Sequence, residues 1–241
     1  MLDKESPLWT LSFAAGVALV CSLMVATTVH WLRPIQAAYG AVEYNRVILQ
    51  AAGLLEPGTE IDDSEVVNRF LELDTRIVDL QTARYTNAVD PLTYDYRTAA
   101  NLEDQPRYMP VYILKIGNQI DRIVLPVYGS GMWSTIYGSV TLMDDLRTIA
   151  NVLFYEHGET PGIGDRIENP AWLAQWRGKQ IFADSGALCL EIGGMVDDVC
   201  HVDGITGATV TVSAIETMLR EWFGPDGYGP YLQALASGEI Q

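Results

Sequence analysis

An uncharged apolar segment near the N-terminus sets the strongest limit on how this chain folds. Residues 8–32 contain no Asp, Glu, Lys or Arg, and about 20 apolar residues in a helix are enough to cross the hydrocarbon core of a bilayer. Trp9 and Trp31 bracket the segment, as aromatic residues do at the two interfaces of a membrane. A cleavable signal sequence is the alternative, but this segment is longer than the about 7–15 apolar residues of such signals. We therefore expect residues 1–33 to form an uncleaved, single-pass membrane anchor.

The pattern after the anchor divides into a stalk and a main domain. Pro34 interrupts the apolar pattern, which resumes at helical spacing over residues 35–52 and then meets a cluster of glycine and proline. Residues 34–58 are therefore predicted to form a stalk helix, and residues 59–241 the main domain. No second long apolar run occurs in the sequence, so the stalk and the domain are expected on the same side of the membrane.

The chain is strongly acidic, with 15 Lys and Arg against 31 Asp and Glu and a formal net charge of −16. Nucleic acids and anionic lipid surfaces both attract basic patches, so neither is an expected ligand of the domain. Lys4 on one side of the anchor and Arg33 on the other nearly balance, and the charge pattern therefore does not decide the orientation in the membrane.

The main domain is predicted to have an α+β fold, in which helices accompany an antiparallel sheet. The helix and strand patterns do not alternate as regular βαβ units, which would indicate a parallel sheet. Strands are predicted over residues 76–80, 111–115, 120–127, 137–142, 146–155 and 180–183, and a hairpin turning at Gly193-Gly194 follows. Helices are predicted from Asp63, over residues 169–176 and over residues 213–223, and an extended tail from Gly224.

The three cysteines, Cys21, Cys189 and Cys200, have neither the spacing of metal ligands nor that of a disulfide framework. Cys189 and Cys200 face each other across the predicted hairpin, so an oxidising compartment would permit a bridge between them. A disulfide also requires a specific geometry that spacing alone does not establish. Two buried free thiols are therefore the favoured interpretation.

A cluster of small residues at 203–209, Asp-Gly-Ile-Thr-Gly-Ala-Thr, lies between an apolar run and a helical pattern. We interpret it as a strand, a tight glycine turn and the start of a helix, since glycine permits backbone angles that a side chain hinders. Free amide groups at a helix start attract anions, and phosphate above all. An ordinary glycine turn with a threonine N-cap gives the same pattern. Ser213 and Glu216 also fit a capping box, which would begin the helix one turn later.

Two further segments are rich in glycine. Residues 159–164 read Glu-Thr-Pro-Gly-Ile-Gly, in which Pro161 stiffens the turn and two glycines leave the backbone exposed. Residues 131–134 read Gly-Met-Trp-Ser. Close backbone approach with an apolar cover from Ile163 suits a planar ring, whereas a solvent-exposed loop explains the glycines equally well.

The three segments together resemble those of a known family. Residues 203–209 resemble the flavinylation motif of the FMN-binding subunits of Nqr and Rnf complexes: Asp, two residues, Ser or Thr, Gly, Ala, Thr. Residues 159–164 and 131–134 are similar to segments of the C subunit of the sodium-pumping NADH:quinone reductase, with Ile163 in place of Leu. The likeness covers nearly the whole chain, and the run Glu-His-Gly-Glu-Thr-Pro-Gly favours the Nqr subunit over its Rnf sibling.

This resemblance implies a flavin site. Thr209 would carry FMN through a phosphodiester bond. Asp203 would be a recognition residue for a flavin transferase that uses FAD and Mg²⁺, although a turn-stabilising role for its side chain fits as well. The other cofactor contacts carried over from the family are Thr206, Gly207, Ala208, Thr160, Gly162, Ile163, Gly164, Met132 and Trp133.

The resemblance also implies a function and a place in the cell. The chain would be an electron relay within a Na⁺-pumping NADH:quinone oxidoreductase of the bacterial inner membrane, with its large domain in the periplasm. Its partners would be the other subunits of the complex and the flavin transferase. No dinucleotide fingerprint follows a predicted strand, so NADH is not expected to bind this subunit.

Other functions fit parts of the sequence. A membrane-anchored extracytoplasmic binding or assembly domain without a redox role fits the composition and the anchor equally well. An Rnf-type flavin subunit and a flavin reductase for soluble substrates are further alternatives. No protein-bound metal is predicted: His157 is a weak candidate, because His30 lies in the apolar N-terminal segment and His201 lacks a partner at ligand spacing.

Overall fold

The computed structural model describes residues 7–100, 106–193 and 198–240 of the chain. The chain comprises two compact units, Met1–Asn45 and Arg46–Gln241. All described strands and all helices after the first belong to the second unit.

The first helix, α1 (Pro7–Ala51), is a single uninterrupted α-helix. Its segment Trp9–Arg33 is long and apolar enough to cross a membrane. The sequence predicted an interruption at Pro34, but the helix continues through this residue. One proline removes a single backbone donor, so the hydrogen bonds on either side of it can continue a long helix. The helix ends just before Gly53, whose φ of +74° is the left-handed conformation that glycine commonly supplies at helix ends.

The second unit is built on a six-stranded antiparallel sheet, which confirms the predicted α+β fold. The strands run in the order β2-β1-β3-β4-β5-β6. Their bounds are β1 (Asp74–Asp79), β2 (Arg84–Thr86), β3 (Tyr108–Ile116), β4 (Gln119–Ser130), β5 (Thr135–Met143) and β6 (Ile149–Glu156). Strands β4 and β5 pair as far as Ser130 with Thr135, so residues 131–134 form the turn between them.

In the described residues, five shorter α-helices accompany the sheet: α2 (Asp63–Phe70), α3 (Tyr96–Ala100), α4 (Pro170–Leu173), α5 (Thr209–Trp222) and α6 (Gly229–Ala236). Two short 3-10 helices, Gly164–Glu168 and Ala174–Trp176, flank α4. Helix α5 packs on β4, where the Trp222 indole nitrogen donates to the Tyr128 carbonyl at 2.7 Å. A Cβ atom at Gly129 would lie 2.8 Å from the Met218 Cβ, so the glycine allows this close approach. The glycine motif at 203–208 therefore leads into a helix that is fixed on the sheet.

Two helix predictions near the C-terminus were wrong. Helix α5 begins at Thr209 and not at Ser213, because Thr211 and Val212 are already buried on its packed face. The tail after Gly224 is not extended, since it contains α6. Pro230 lies in the first turn of α6, where proline is well tolerated, and Tyr231 is fully buried.

The segment before the glycine motif also differs from the prediction. Strands β7 (Glu191–Ile192) and β8 (His201–Val202) pair in parallel, so they do not form a hairpin. Gly194, in the predicted turn, lies outside the described residues. The predicted strand at 180–183 is reduced to isolated bridges.

Cys189 and Cys200 form a disulfide, so the expectation of free thiols was wrong. The two cysteines precede β7 and β8, and the parallel pairing places the starts of these strands side by side.

The last carbonyl groups of α1 are capped by side chains of the sheet. Thr141 Oγ1 donates to the Ala51 carbonyl at 2.8 Å, and Arg122 Nη1 donates to the Ala52 carbonyl at 2.9 Å. Asn151 Nδ2 reaches the Gln50 carbonyl at 3.3 Å. Three adjacent strands thus satisfy acceptors that a helix end leaves without intrahelical donors.

Thr141→Val should lower the stability of the second unit by about 1–2 kcal/mol, because it removes a buried hydroxyl donor from the Ala51 carbonyl. Thermal unfolding of the detergent-solubilised chain should show a Tm lower by roughly 2–8 °C. Thr135→Val, at an exposed position of the same strand, is the matched control and should leave the Tm near that of the wild type. Equal Tm values for the two variants would contradict a stabilising role for this cap.

Candidate functional site

Two of the glycine-rich segments and the first turn of α5, which follows the third, meet at one buried side chain, Glu159, which is 5% exposed. Its Oε1 accepts hydrogen bonds from the backbone amides of Met132 at 2.9 Å and Trp133 at 3.2 Å. Its Oε2 accepts from Thr211 Oγ1 at 2.5 Å. One carboxylate therefore joins the β4–β5 turn and the 159–164 loop to the first turn of α5.

The β4–β5 turn presents two large apolar side chains to the solvent. Met132 is 51% exposed and Trp133 is 68% exposed. The turn is closed by a hydrogen bond from the Gly131 amide to the Ser134 carbonyl at 2.8 Å. Trp133 Nε1 also donates to Thr160 Oγ1 at 3.0 Å, which fixes the indole against the neighbouring loop.

The 159–164 loop folds around the Thr160 carbonyl. The amides of Ile163 and Gly164 donate to this carbonyl at 3.1 Å and 2.9 Å. Gly162 has a φ of +78°, a conformation that glycine adopts without strain. Ile163 is 47% exposed. The loop thus leaves an apolar side chain and bare backbone at its surface.

His157 supports the same loop from within the fold. Its side chain is 7% exposed, and its Nε2 lies 2.9 Å from Glu168 Oε1. Its Nδ1 accepts from the Glu159 amide at 3.2 Å. Among the residues that the structure describes, no three His, Cys, Asp or Glu side chains are grouped to hold a metal ion.

The strand end before this loop is fixed by an arginine–tyrosine cluster. Arg97 Nη1 pairs with Glu156 Oε2 at 2.8 Å, and its guanidinium lies 4.5 Å from the centre of the Tyr137 ring. The hydroxyls of Tyr96 and Tyr155 lie 3.1 Å apart. Burial raises the pKa of both tyrosines, so both stay protonated at neutral pH and act as hydrogen-bonding groups.

The 203–208 loop is held at its first residue. The Asp203 carbonyl accepts from Trp172 Nε1 at 2.7 Å, and the Asp203 amide donates to Gln175 Oε1 at 3.3 Å. Trp172 and Trp176 are buried in the core with their ring centroids 5.3 Å apart. The Asp203 carboxylate is 76% exposed and lies 4.0 Å from His201 Nε2.

The same loop ends at the first turn of α5. Gly207 has a φ of +86°, and Ala208 is the buried N-cap residue, whose methyl group offers no cap. Thr209 is the first residue of the helix, and its side chain is exposed. Within the part of the chain that the structure describes, no acceptor pairs with the amides of residues 209–211. An exposed hydroxyl beside uncapped helix amides fits a phosphate ester.

The residues predicted for the site divide into two groups. Met132, Trp133, Thr160 and Gly164 lie around Glu159, which is tied to the helix that begins at Thr209. Thr206, Gly207, Gly162 and Ile163 lie at exposed positions of their loops, and Asp203 lies at the far end of its loop.

Glu159 and Thr211 are the residues that sequence reasoning missed. Glu159 is the first residue of the Glu-Thr-Pro-Gly-Ile-Gly segment, and that position was the only signal. Thr211 belonged to a threonine-rich helix start in which several hydroxyls looked alike.

Gly164→Ala should disturb this junction. An added Cβ would lie 2.9 Å from the Glu159 Cβ and 3.1 Å from Thr211 Oγ1, so the two partners would have to separate. We expect a loss of about 1–3 kcal/mol in unfolding free energy, as for other overpacked sites. Gly162→Ala is the comparison, because an added Cβ meets nothing there and only the positive φ is strained. Urea unfolding should rank Gly164→Ala as the less stable variant, and the reverse order would contradict the close packing at Glu159.

Comparisons with known proteins agree with this geometry. Residues 131–224 match the family model described as the FMN-binding domain. The C subunit of the Na(+)-translocating NADH-quinone reductase of Pseudomonas aeruginosa is 37% identical over 262 residues, which cover 99% of this chain and 100% of that protein. The chain belongs to the NqrC family, the C subunits of Na(+)-translocating NADH-quinone reductases.

Two other members of the NqrC family are also similar to this chain over most of its length. The protein of Neisseria meningitidis serogroup B is 36% identical over 259 residues, which cover 99% of this chain and 98% of that one. The crystal structure of Shewanella oneidensis NqrC is similar with a TM-score of 0.73 and 31% sequence identity, covering 83% of this chain and 99% of that chain. The resemblance seen in the sequence is thereby confirmed, and the FMN-binding segment contains all three glycine-rich motifs.

Proposed function

We propose that this chain is the electron-transfer subunit of a Na⁺-pumping NADH:quinone oxidoreductase and carries FMN bound covalently to Thr209 through a phosphodiester bond. The observation that carries this proposal is the exposed Thr209 side chain on the first residue of α5, beside amides for which the described residues supply no acceptor. Membership of the NqrC family and the match of residues 131–224 to the FMN-binding domain support it.

The chain's part in attachment is to present one hydroxyl. The Thr209 oxygen forms the new bond to the FMN phosphorus and loses its proton, while the pyrophosphate bond of the donor FAD breaks and AMP leaves. Threonine is a weak nucleophile at its ordinary pKa, so a separate flavin transferase is needed to activate it. The Asp203 carboxylate, 76% exposed at the start of the loop, is available for recognition by that enzyme.

The residues around Thr209 would hold the phosphate and the ring. The amides of residues 209–211 would neutralise part of the phosphate charge, and Thr206, Gly207 and Ala208 shape the approach to them. The ring would lie against the backbone at Gly162 and Gly164, with apolar cover from Ile163, Met132 and Trp133 and a polar edge at Thr160. When bound, FMN supplies one- and two-electron redox chemistry, and the protein supplies attachment, orientation and electrostatics.

The proposed location is the bacterial inner membrane, with the second unit in the periplasm. The apolar segment Trp9–Arg33 would be the anchor. The Cys189–Cys200 disulfide favours an oxidising compartment over the cytosol. The partners are then the other subunits of the complex, which would deliver electrons to this subunit and accept them from it.

Covalent attachment can be tested directly. The full chain is co-expressed with a flavin transferase, separated on a denaturing gel and examined for flavin fluorescence, and the intact protein is weighed by mass spectrometry. We expect a fluorescent band and the added mass of one FMN residue. A dark band with unmodified mass, beside an active transferase control, would overturn the proposal and favour a binding or assembly domain without redox function.

A further inference from the structure

We infer that Glu159 is a positioning residue that locks the β4–β5 turn to the first turn of α5, and so fixes the walls of the flavin site relative to Thr209. This inference rests on the proposed function. It starts from the position of Glu159, a buried acid whose side chain accepts hydrogen bonds from two amides of one segment and a hydroxyl of another.

The partners of Glu159 are distant from it along the chain. Met132 lies 27 positions before it, and Thr211 lies 52 positions after it. It connects a hairpin turn to a helix start, two elements that lie far apart in the sequence.

The surrounding glycines make room for this one side chain. A Cβ atom at Gly131 would lie 2.5 Å from Glu159 Oε1, and one at Gly164 would lie 2.9 Å from the Glu159 Cβ. These two glycines come from two of the three motifs. Because these glycines lack side chains, the Glu159 carboxylate can reach both the amides of the β4–β5 turn and the Thr211 hydroxyl.

A carboxylate is a costly choice for a buried link. Its desolvation is unfavourable unless hydrogen bonds compensate, and a side chain that only filled space would not incur that cost. Three donors compensate it here. The charge-assisted bonds that result are about twice as strong as bonds between neutral groups, which suits a part that must hold two elements at a fixed separation.

The link matters because the residues it holds are exposed. Met132 and Trp133 form the tip of a hairpin, and such tips are mobile unless they are tied down. Glu159 binds the amides of these residues, while their side chains remain exposed at the surface. Thr211 lies two positions after Thr209, so the same carboxylate also fixes the turn that carries the flavin.

Four full-length variants test this role: Glu159→Ala, Glu159→Gln, Thr211→Val and, as the matched control, Glu216→Gln. Glu216 lies on α5 and pairs with Arg220 at 2.9 Å, away from the junction. Thr211→Val breaks only the link to α5. Glu159→Gln keeps an oxygen for the two amides and a nitrogen that can reach Thr211 Oγ1.

Hydrogen exchange in the unmodified chain is the first measurement. In Glu159→Ala, the amides of Met132 and Trp133 should exchange about ten- to a hundred-fold faster than in the wild type, because they lose a charged acceptor. They should keep their protection in Thr211→Val and Glu216→Gln. Unchanged exchange in Glu159→Ala would overturn the inference without reference to flavin.

The second measurement is the fluorescence anisotropy decay of the chain loaded with covalent flavin. The ring should tumble with the protein in the wild type, Glu159→Gln and Glu216→Gln. It should gain a fast component in Glu159→Ala and in Thr211→Val, although the Met132 amide stays protected in the latter. Wild-type decays in both variants would overturn the inference. If Glu159→Ala fails to fold, the anisotropy decays of Thr211→Val and Glu159→Gln are compared instead. A fast component in Thr211→Val alone supports the inference, and wild-type decays in both variants overturn it.

The two proposals fail in different ways. A wild-type chain that takes up no covalent flavin refutes the proposed function, and hydrogen exchange then decides alone whether Glu159 holds the turn. A loaded wild type whose ring is equally immobile in every variant refutes only the role of Glu159.

Discussion

Replacing Thr209 with Val should abolish covalent attachment of FMN and leave the fold of the chain unchanged. Valine has nearly the shape of threonine but no oxygen to form a phosphoester. The Thr209 side chain is exposed, and the helix N-cap is Ala208, so no cap is lost. The unfolding free energy should therefore stay within about 0.5 kcal/mol of the wild type. Intact mass and in-gel fluorescence measure attachment, and circular dichroism with a thermal melt measures the fold.

The neighbouring hydroxyls should not replace Thr209. Thr211 is 3% exposed and its hydroxyl donates to Glu159, so a transferase has no access to it. Thr206 is exposed, but it lies in the loop before the helix and not at its first residue. The proposed modification is therefore specific to one position, and the loss in Thr209→Val should be complete.

Two controls separate chemistry from structure. Thr209→Ser keeps the hydroxyl and should still accept flavin. Thr217→Val makes the same substitution at an exposed threonine of the same helix and should be loaded like the wild type. FMN mass in Thr209→Val, located by peptide mapping at Thr206, would move the attachment site to the loop.

Elements with strong local patterns were predictable from the sequence. Strands β1 and β3 to β6 carry runs of apolar side chains that are buried in the fold, and such runs are a clear sequence signature. The order of the three glycine-rich motifs was also sufficient to recognise the family. Both features depend on residues that are close together in the chain.

Elements that depend on distant partners were not predictable. Helix α6 lies in a segment rich in glycine, proline and tyrosine, which suggested extended structure. It forms because Tyr228 and Tyr231 are fully buried, and the Tyr228 hydroxyl donates to the Pro126 carbonyl at 2.8 Å, 102 positions away. The Cys189–Cys200 bond is a similar case, since spacing suggested a hairpin and the strands pair in parallel.

The burial of Glu159 in the candidate site could not be predicted either, because it too depends on distant partners. An acidic residue between glycine and threonine in a loop is typical of a solvent-exposed position. Its burial follows from donors that only the folded chain supplies, namely the Met132 and Trp133 amides and the Thr211 hydroxyl. The motif therefore revealed the family, but not which of its residues joins the parts of the site.

Loss of the Cys189–Cys200 disulfide should have the second largest effect. The bond closes a loop across a sequence separation of 11 residues, and the chain-entropy model gives about 3 kcal/mol for a loop of this size. For a unit of this length, that loss corresponds to a Tm lower by roughly 6–12 °C. The variant is Cys189→Ser with Cys200→Ser, measured by thermal unfolding of the full chain in detergent under non-reducing conditions.

The same bond should also affect the candidate site, because the closed segment leads directly into the 203–208 loop. The Glu191 amide donates to the Cys200 carbonyl and the Gly193 amide to the Val202 carbonyl, so both strands before the loop depend on this segment. We expect the double serine variant to be loaded with flavin more slowly than the wild type. Cys21→Ser, in the apolar N-terminal helix, is the matched control and should change neither the Tm nor the loading.

An unchanged Tm in the double variant would mean that the parallel strands and α4 hold the segment without the bond. Reduction of the wild type should then leave its Tm unchanged as well. If the disulfide is stabilising, the reduced wild type should instead have the Tm of the double variant.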